Sequence, residues 1–197
     1  MSRPEVKKFV LLFVLAIAAS SAFADQVTMH MTGAPTGVNG PYNLTVNGTP
    51  TQLICFSADN SVFIGETWTA HTYTIADITT NTHFPMTTFQ ANLLGYLADE
   101  LFAHPGSSSY QNAVWYVLGT GGANNTAYQD AYNFIKTHPG YQTSDIFYIP
   151  DNGYLRDCNG YGPQPFIGQT PEPGSLALLG SGLFGVAGLI RRRLAKA

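Results

Sequence analysis

Apolar and polar residues alternate along the first third of the chain. Val27, Met29 and Met31 share one side of Gln26–Met31, and Tyr42, Leu44 and Val46 share one side of the next run. Period two is the pattern of a strand with one buried face. Asn47-Gly48 follows directly and predicts a tight hairpin, with Thr51–Phe56 as the returning strand. Thr67–Ile78, carrying Trp68, Tyr73 and Ile75, reads as a further strand region. From Thr88 the period changes. Phe89, Leu93, Tyr96, Leu97 and Leu101 recur at helical spacing, and His104-Pro105-Gly106 stops that helix. Ser107–Ser109 offers N-caps for a second helix, Tyr110–Leu118, closed by Gly119. A third starts at Asn125 or Thr126, runs to about Thr137 and stops at His138-Pro139-Gly140. Asp145–Ile149 returns to strand. Strands, then helices, then a strand predict an α+β fold: an antiparallel β-rich domain with a helical insertion of about three helices.

Two apolar runs stand outside this pattern, one at each end. Arg3, Lys7 and Lys8 precede the apolar stretch Phe9–Ala19, and Ala22-Phe23-Ala24 is a small-x-small cleavage site. That is the layout of a secretory signal peptide, with cleavage expected before Asp25 by signal peptidase. At the other end Pro171-Glu172-Pro173 precedes the uncharged, Leu-, Gly- and Ala-rich run Leu176–Ile190, and Arg191-Arg192-Arg193 follows it. The run is short for a membrane span, so the whole segment 174–190 is needed, with the arginines at the cytoplasmic side. The tail resembles the PEP-CTERM signal of Gram-negative bacteria. The resemblance implies recognition by the membrane transpeptidase exosortase and removal of the tail. The expected organisation is a signal peptide over 1–24, an exported domain over 25–168, and a sorting tail over 169–197 with its basic end at 191–193. The implied location is across the inner membrane, transiently anchored by the C-terminal helix, then at the cell surface or outside the cell.

Removing both ends changes the electrostatic picture. The whole chain has a formal charge of −3, yet most of its bases sit in the two end segments. Between Asp25 and Thr170 ten acidic residues face only Lys136 and Arg156, a formal charge of −8. Nucleic-acid recognition needs a basic footprint, so it is excluded as a function class.

Two segments carry candidate chemistry. Ile54-Cys55-Phe56 puts a cysteine at the end of an apolar strand, and Tyr110-Gln111-Asn112-Ala113-Val114-Trp115 opens the second helix. Gln111 lies on the same helical face as Trp115 and Leu118, so it points at the core, where an amide needs partners. These residues resemble the two motifs of bacterial surface thioester domains, also called TQXA domains: hydrophobic-Cys-hydrophobic and Gln-x-Ala-hydrophobic. The chain departs from that family at Ile54, where an aromatic is common, at Tyr110, where the family has Thr, and in a short interval between the motifs. The resemblance implies an internal thioester between Cys55 and Gln111, and covalent adhesion when an amine or hydroxyl attacks the Gln111 acyl carbon. Cys55 would then leave as a thiolate, favoured by a pKa far below that of an amine. The competing pairing is a Cys55–Cys158 disulfide, which an oxidising compartment favours and which would stabilise by ~3–5 kcal/mol on loop closure. Thioester and disulfide exclude each other.

Other constellations give weaker signals. His30, His71, His83, His104 and His138 never fall at metal-ligand spacing, so no metal and no cofactor is expected. Asp99-Glu100 are adjacent and diverge on a helix, which suits a solvated face better than paired carboxylate catalysis. Asp151-Asn152-Gly153 and Asp157-Cys158-Asn159-Gly160 read as turns rather than a calcium loop. Tyr128, Tyr132, Phe134, Tyr141, Phe147, Tyr148, Tyr154 and Tyr161 offer rings for sugar stacking or for the core. The expected function is therefore a non-catalytic structural or interaction component of the envelope or exopolysaccharide, not an enzyme. The alternative is a covalent thioester adhesin acting on surface amines or hydroxyls, and a secreted hydrolase comes last because no signature supports it.

Overall fold

The structure, a computed structural model, describes residues 26–34, 39–81, 84–151 and 163–169. The signal peptide, the spanning segment and the sorting tail expected from the sequence lie outside the described residues. Six strands close a barrel in the order β1-β2-β3-β6-β5-β4, and every neighbouring pair is antiparallel. They are β1 (Gln26–Gly33), β2 (Tyr42–Val46), β3 (Thr49–Cys55), β4 (Thr67–Tyr73), β5 (Ile146–Pro150) and β6 (Phe166–Gly168). The predicted β2–β3 hairpin forms at Asn47 (φ 50°) and Gly48 (φ 80°), two successive left-handed residues of the kind an Asn-Gly pair accepts.

Alternation divides the barrel's two faces. Val27, Met29, Met31, Tyr42, Leu44, Val46, Leu53, Cys55, Trp68, Ala70, Tyr148 and Phe166 form one buried cluster to which all six strands contribute. In a closed sheet, that shared face is the lumen. The outer faces of Ile54, Phe56, Phe147, Ile149 and Ile167 join a second cluster with the helices. The fold is thus α+β, a small antiparallel barrel with a helical layer against part of its wall.

The helices lie between β4 and β5 in sequence. Thr67–Ile78 is not one strand, as its pattern suggested. β4 ends at Tyr73, and Ile75–Ile78 is a helical turn, α1, started by a reciprocal capping box between Thr74 and Asp77. Local side-chain capping outweighs the apolar alternation there. α2 (Thr88–Ala103) begins at a second capping box, Thr87 with Gln90. α3 (Ser108–Val117) is capped by Ser107, and α4 (Thr126–Thr137) by Asn125. His104 and His138 end α2 and α4, as the repeated His-Pro-Gly stops predict. β6 had no periodic signal in the sequence and completes the barrel between β3 and β5.

Strand direction gives the barrel two distinct ends. β1 starts opposite His71, β6 finishes opposite Ile146, and the β2–β3 hairpin turns at the same end. The C-terminus of β3, the N-terminus of β6 and the loop between β3 and β4 lie at the other end. That loop exposes Phe63 (65%) and Ile64 (67%).

Candidate functional site

β3 delivers Cys55 and α3 delivers Gln111. Both are 0% exposed. The Gln111 side chain reaches across to the strand: Nε2 donates to the Cys55 carbonyl oxygen at 2.9 Å. Its other end is also held, because Oε1 accepts the Gly40 backbone N–H at 2.9 Å. The structure therefore brings together two residues 56 apart in sequence, the pair singled out from the motifs. A buried carboxamide needs partners for both ends, and here two backbone groups supply them.

The sulfur side is equally enclosed. Cys55 Sγ donates to the Ser57 carbonyl at 2.9 Å. Burial pushes the thiol up to about 12, while the Ser57 backbone and the Trp115 side chain act in the opposite direction. Trp115 lies one helical turn beyond Gln111 on α3. Its buried indole N–H lacks a partner in full hydrogen-bonding geometry among the described residues. Its interaction with the Cys55 sulfur is therefore weaker than a full hydrogen bond, but it still favours the ionised thiol. Tyr42, pointing into the lumen, has its phenol pushed up by burial and then by Cys55. The sequence-based expectation of an easily leaving thiolate is corrected by this burial. The surroundings of the sulfur, Tyr42 and the apolar lumen residues, disfavour its thiolate form.

Two loops close around the pair. Thr120 Oγ1 accepts the Ala58 N–H at 3.2 Å and donates to the Trp115 carbonyl at 3.2 Å. The chain then folds back on α3, where Ala123 N–H donates to the Asn112 carbonyl at 3.1 Å. Gly122 (φ 70°) is required in that return, since a Cβ there would stand 1.9 Å from Asn112 O. On the other side Asn39 Nδ2 donates to the Gly106 carbonyl, and Gly106 N–H donates to the Gly40 carbonyl at 2.9 Å. Gly40 is thus fixed to the α2–α3 turn while its own N–H faces Gln111. The sequence marked Cys55, Gln111 and Trp115. It gave no sign of Gly40, Ser57 or Thr120, because their contribution comes from backbone groups and a hydroxyl that no motif specifies.

Among the described residues Cys55 has no disulfide partner, and Cys158 lies outside them. Asp99 sits on α2, and its carboxyl is pushed up by burial and then by Glu100. His71 lies 3.3 Å from Asp151, and His104 3.7 Å from Glu100. Among the described residues no group of three metal-ligating side chains converges. Of the aromatic residues offered for sugar stacking, Phe147 and Tyr148 are core. Phe134 engages Tyr96 (4.6 Å), His138 (4.2 Å) and Tyr141 (5.6 Å), so these rings spend their faces on one another.

What the fold and site define is a small barrel with one enclosed Cys–Gln contact. Its delivery is read from the chain's end: residues 169–193 match the PEP-CTERM protein-sorting motif. That match supports an exported surface protein processed by exosortase through its C-terminal tail. No curated protein and no solved structure matches the chain. Among the described residues no helix is long and apolar enough to cross a membrane.

Proposed function

We propose that this exported protein is a covalent adhesin in which Cys55 and Gln111 close an internal thioester. The observation that carries the reading is the 2.9 Å hydrogen bond from Gln111 Nε2 to the Cys55 carbonyl, inside a site where both residues are wholly buried. In the closing step Cys55 Sγ bonds to Gln111 Cδ, and the carboxamide nitrogen leaves as ammonia with the thiol proton. The thioester carries no charge, so the burial that disfavours a thiolate does not penalise it. A partner's amine later attacks Cδ, the C–S bond breaks, and the amine proton passes to sulfur. The product is an amide to Gln111 and a free Cys55 thiol. The protein is consumed once rather than turning over, which is consistent with a non-enzymatic role. A net negative domain draws in lysine-bearing partners, whose side chain gives up its extra proton to water and attacks as the neutral amine.

A second reading is favoured by the completeness of the Gln111 hydrogen bonds. Here the side chain is a brace between the loop before β2 and the end of β3, and the protein is a non-catalytic structural or interaction component of the envelope or exopolysaccharide. Intact mass of the exported protein separates the two. Thioester closure removes about 17 Da as ammonia, and Gln111→Ala abolishes that loss. A Cys55–Cys158 disulfide removes only about 2 Da. Full unreacted mass, with no adduct after methylamine treatment, leaves the brace and rejects the thioester.

A further inference from the structure

The acyl oxygen of the proposed thioester is Gln111 Oε1, because closure replaces Nε2 and leaves Oε1 in place. That oxygen already accepts a buried backbone N–H, from Gly40, at 2.9 Å. We propose that the Gly40 N–H is the oxyanion donor for acyl transfer at Gln111, an inference that rests on the thioester reading above.

When an amine attacks Cδ, the π electrons of the C=O bond move onto Oε1 and the carbon becomes tetrahedral. A donor fixed beforehand at hydrogen-bond distance stabilises that charge without reorganising. Gly40 is fixed beforehand. Its carbonyl accepts the Gly106 N–H at 2.9 Å, and the neighbouring Asn39 amide holds the Gly106 carbonyl at 3.2 Å. The tetrahedral carbon then collapses, Oε1 regains its double bond, Sγ departs, and the amine proton ends on sulfur. The same donor serves closure, where Sγ is the nucleophile and ammonia the leaving group.

Glycine at position 40 has a reason on this reading. A Cβ there would stand 3.1 Å from Gln111 Oε1 and 3.1 Å from Ile54 Cδ1. A side chain would press the acyl oxygen away from the N–H it needs. A Cβ here fits only if the Gln111 carboxamide or the Ile54 side chain gives by a few tenths of an ångström.

The test uses the full-length chain in detergent, with methylamine as the nucleophile and intact mass as the readout. Replacing the residue-40 amide by an ester, through incorporation of glycolic acid, removes the donor and leaves the shape. The expected result is acylation slower by about a hundredfold, with the loss of ammonia still reached at long times. Gly40→Ala is expected to slow acylation in the same direction. An ester-substituted chain that reacts at the wild-type rate overturns the proposal. Should that chain not fold, 13C-glutamine labelling of the wild type supplies a second reading. The folded thioester carbonyl should absorb at lower infrared frequency than the same group in the urea-unfolded chain, and an unshifted band overturns the proposal. A wild-type chain that neither loses ammonia nor takes up methylamine rejects the thioester itself, and the oxyanion role falls with it.

Discussion

Asp145 is a carboxylate placed where a neutral group belongs. It is 2% exposed immediately before β5, and its Oδ2 has no hydrogen-bond partner among the described residues. Burial, and then the negative charge of Asp99, push it up to about 6 from an ordinary 3.8, against an opposing hydrogen bond from Thr143. Because the folded protein holds this proton more tightly than the unfolded chain, the stability it contributes is complete below about pH 4. That contribution is lost as pH rises through about 6. A shift of about two units corresponds to a ceiling of ~3 kcal/mol. Asp145→Asn keeps the shape and removes the charge, so it should be more stable than wild type by ~1–3 kcal/mol at pH 7.5. The two proteins should be nearly equal at pH 4. In urea, with a slope of about 2 kcal/mol per molar, the midpoint should rise by roughly 0.5–1.5 M at the higher pH only. An unchanged or lower midpoint at pH 7.5 would refute the reasoning, as would an equal gain at both pH values.

Other outcomes follow from the same structure. Gly95 on α2 lies under Thr143, whose Oγ1 would be 2.2 Å from an added Cβ; Gly95→Ala should destabilise by ~1–3 kcal/mol in thermal or urea melts, and Thr143→Ala should recover part of the loss. Thr87→Ala removes one half of the α2 capping box and should cost ~1 kcal/mol by the same measurement. The Cys55 thiol, fully buried and pushed up to about 12, should resist iodoacetamide in the folded Gln111→Ala protein at pH 8 and react promptly after unfolding; rapid labelling of the folded form would contradict the burial. Cells lacking exosortase should retain residues beyond the PEP-CTERM motif on the exported protein, as read by mass. A tail still removed in those cells would count against sorting through that motif.

Much of the barrel was legible because its lumen obeys a simple alternation. Val27, Met29 and Met31, then Tyr42, Leu44 and Val46, are readable from their spacing alone as one face. α3 and α4 were legible through their caps, and α2 and α4 through their His-Pro-Gly stops. β6 was not, because three residues carry no period and its place is set by the strands on either side. The end of β4 was misread because Ile75 and Ile78 continue an apolar run, whereas Thr74 and Asp77 decide the conformation by capping. Closure of the sheet is a long-range fact that no window of sequence contains. The candidate site divides in the same way. Gln111 was suspect as a polar residue on an apolar face, but its partner at Gly40 is a backbone group, and backbone groups look alike in every sequence.

The direction of β6 has a mechanical meaning. Whatever holds the chain by its C-terminus pulls on Gly168, the last residue of a three-residue strand. That strand is the stave that closes the barrel between β3 and β5, and its Phe166 is registered opposite Cys55. Traction through the C-terminal side is therefore delivered first to the shortest stave, beside the enclosed sulfur. Load at the anchor and the integrity of the Cys55 chamber are coupled through a single short strand.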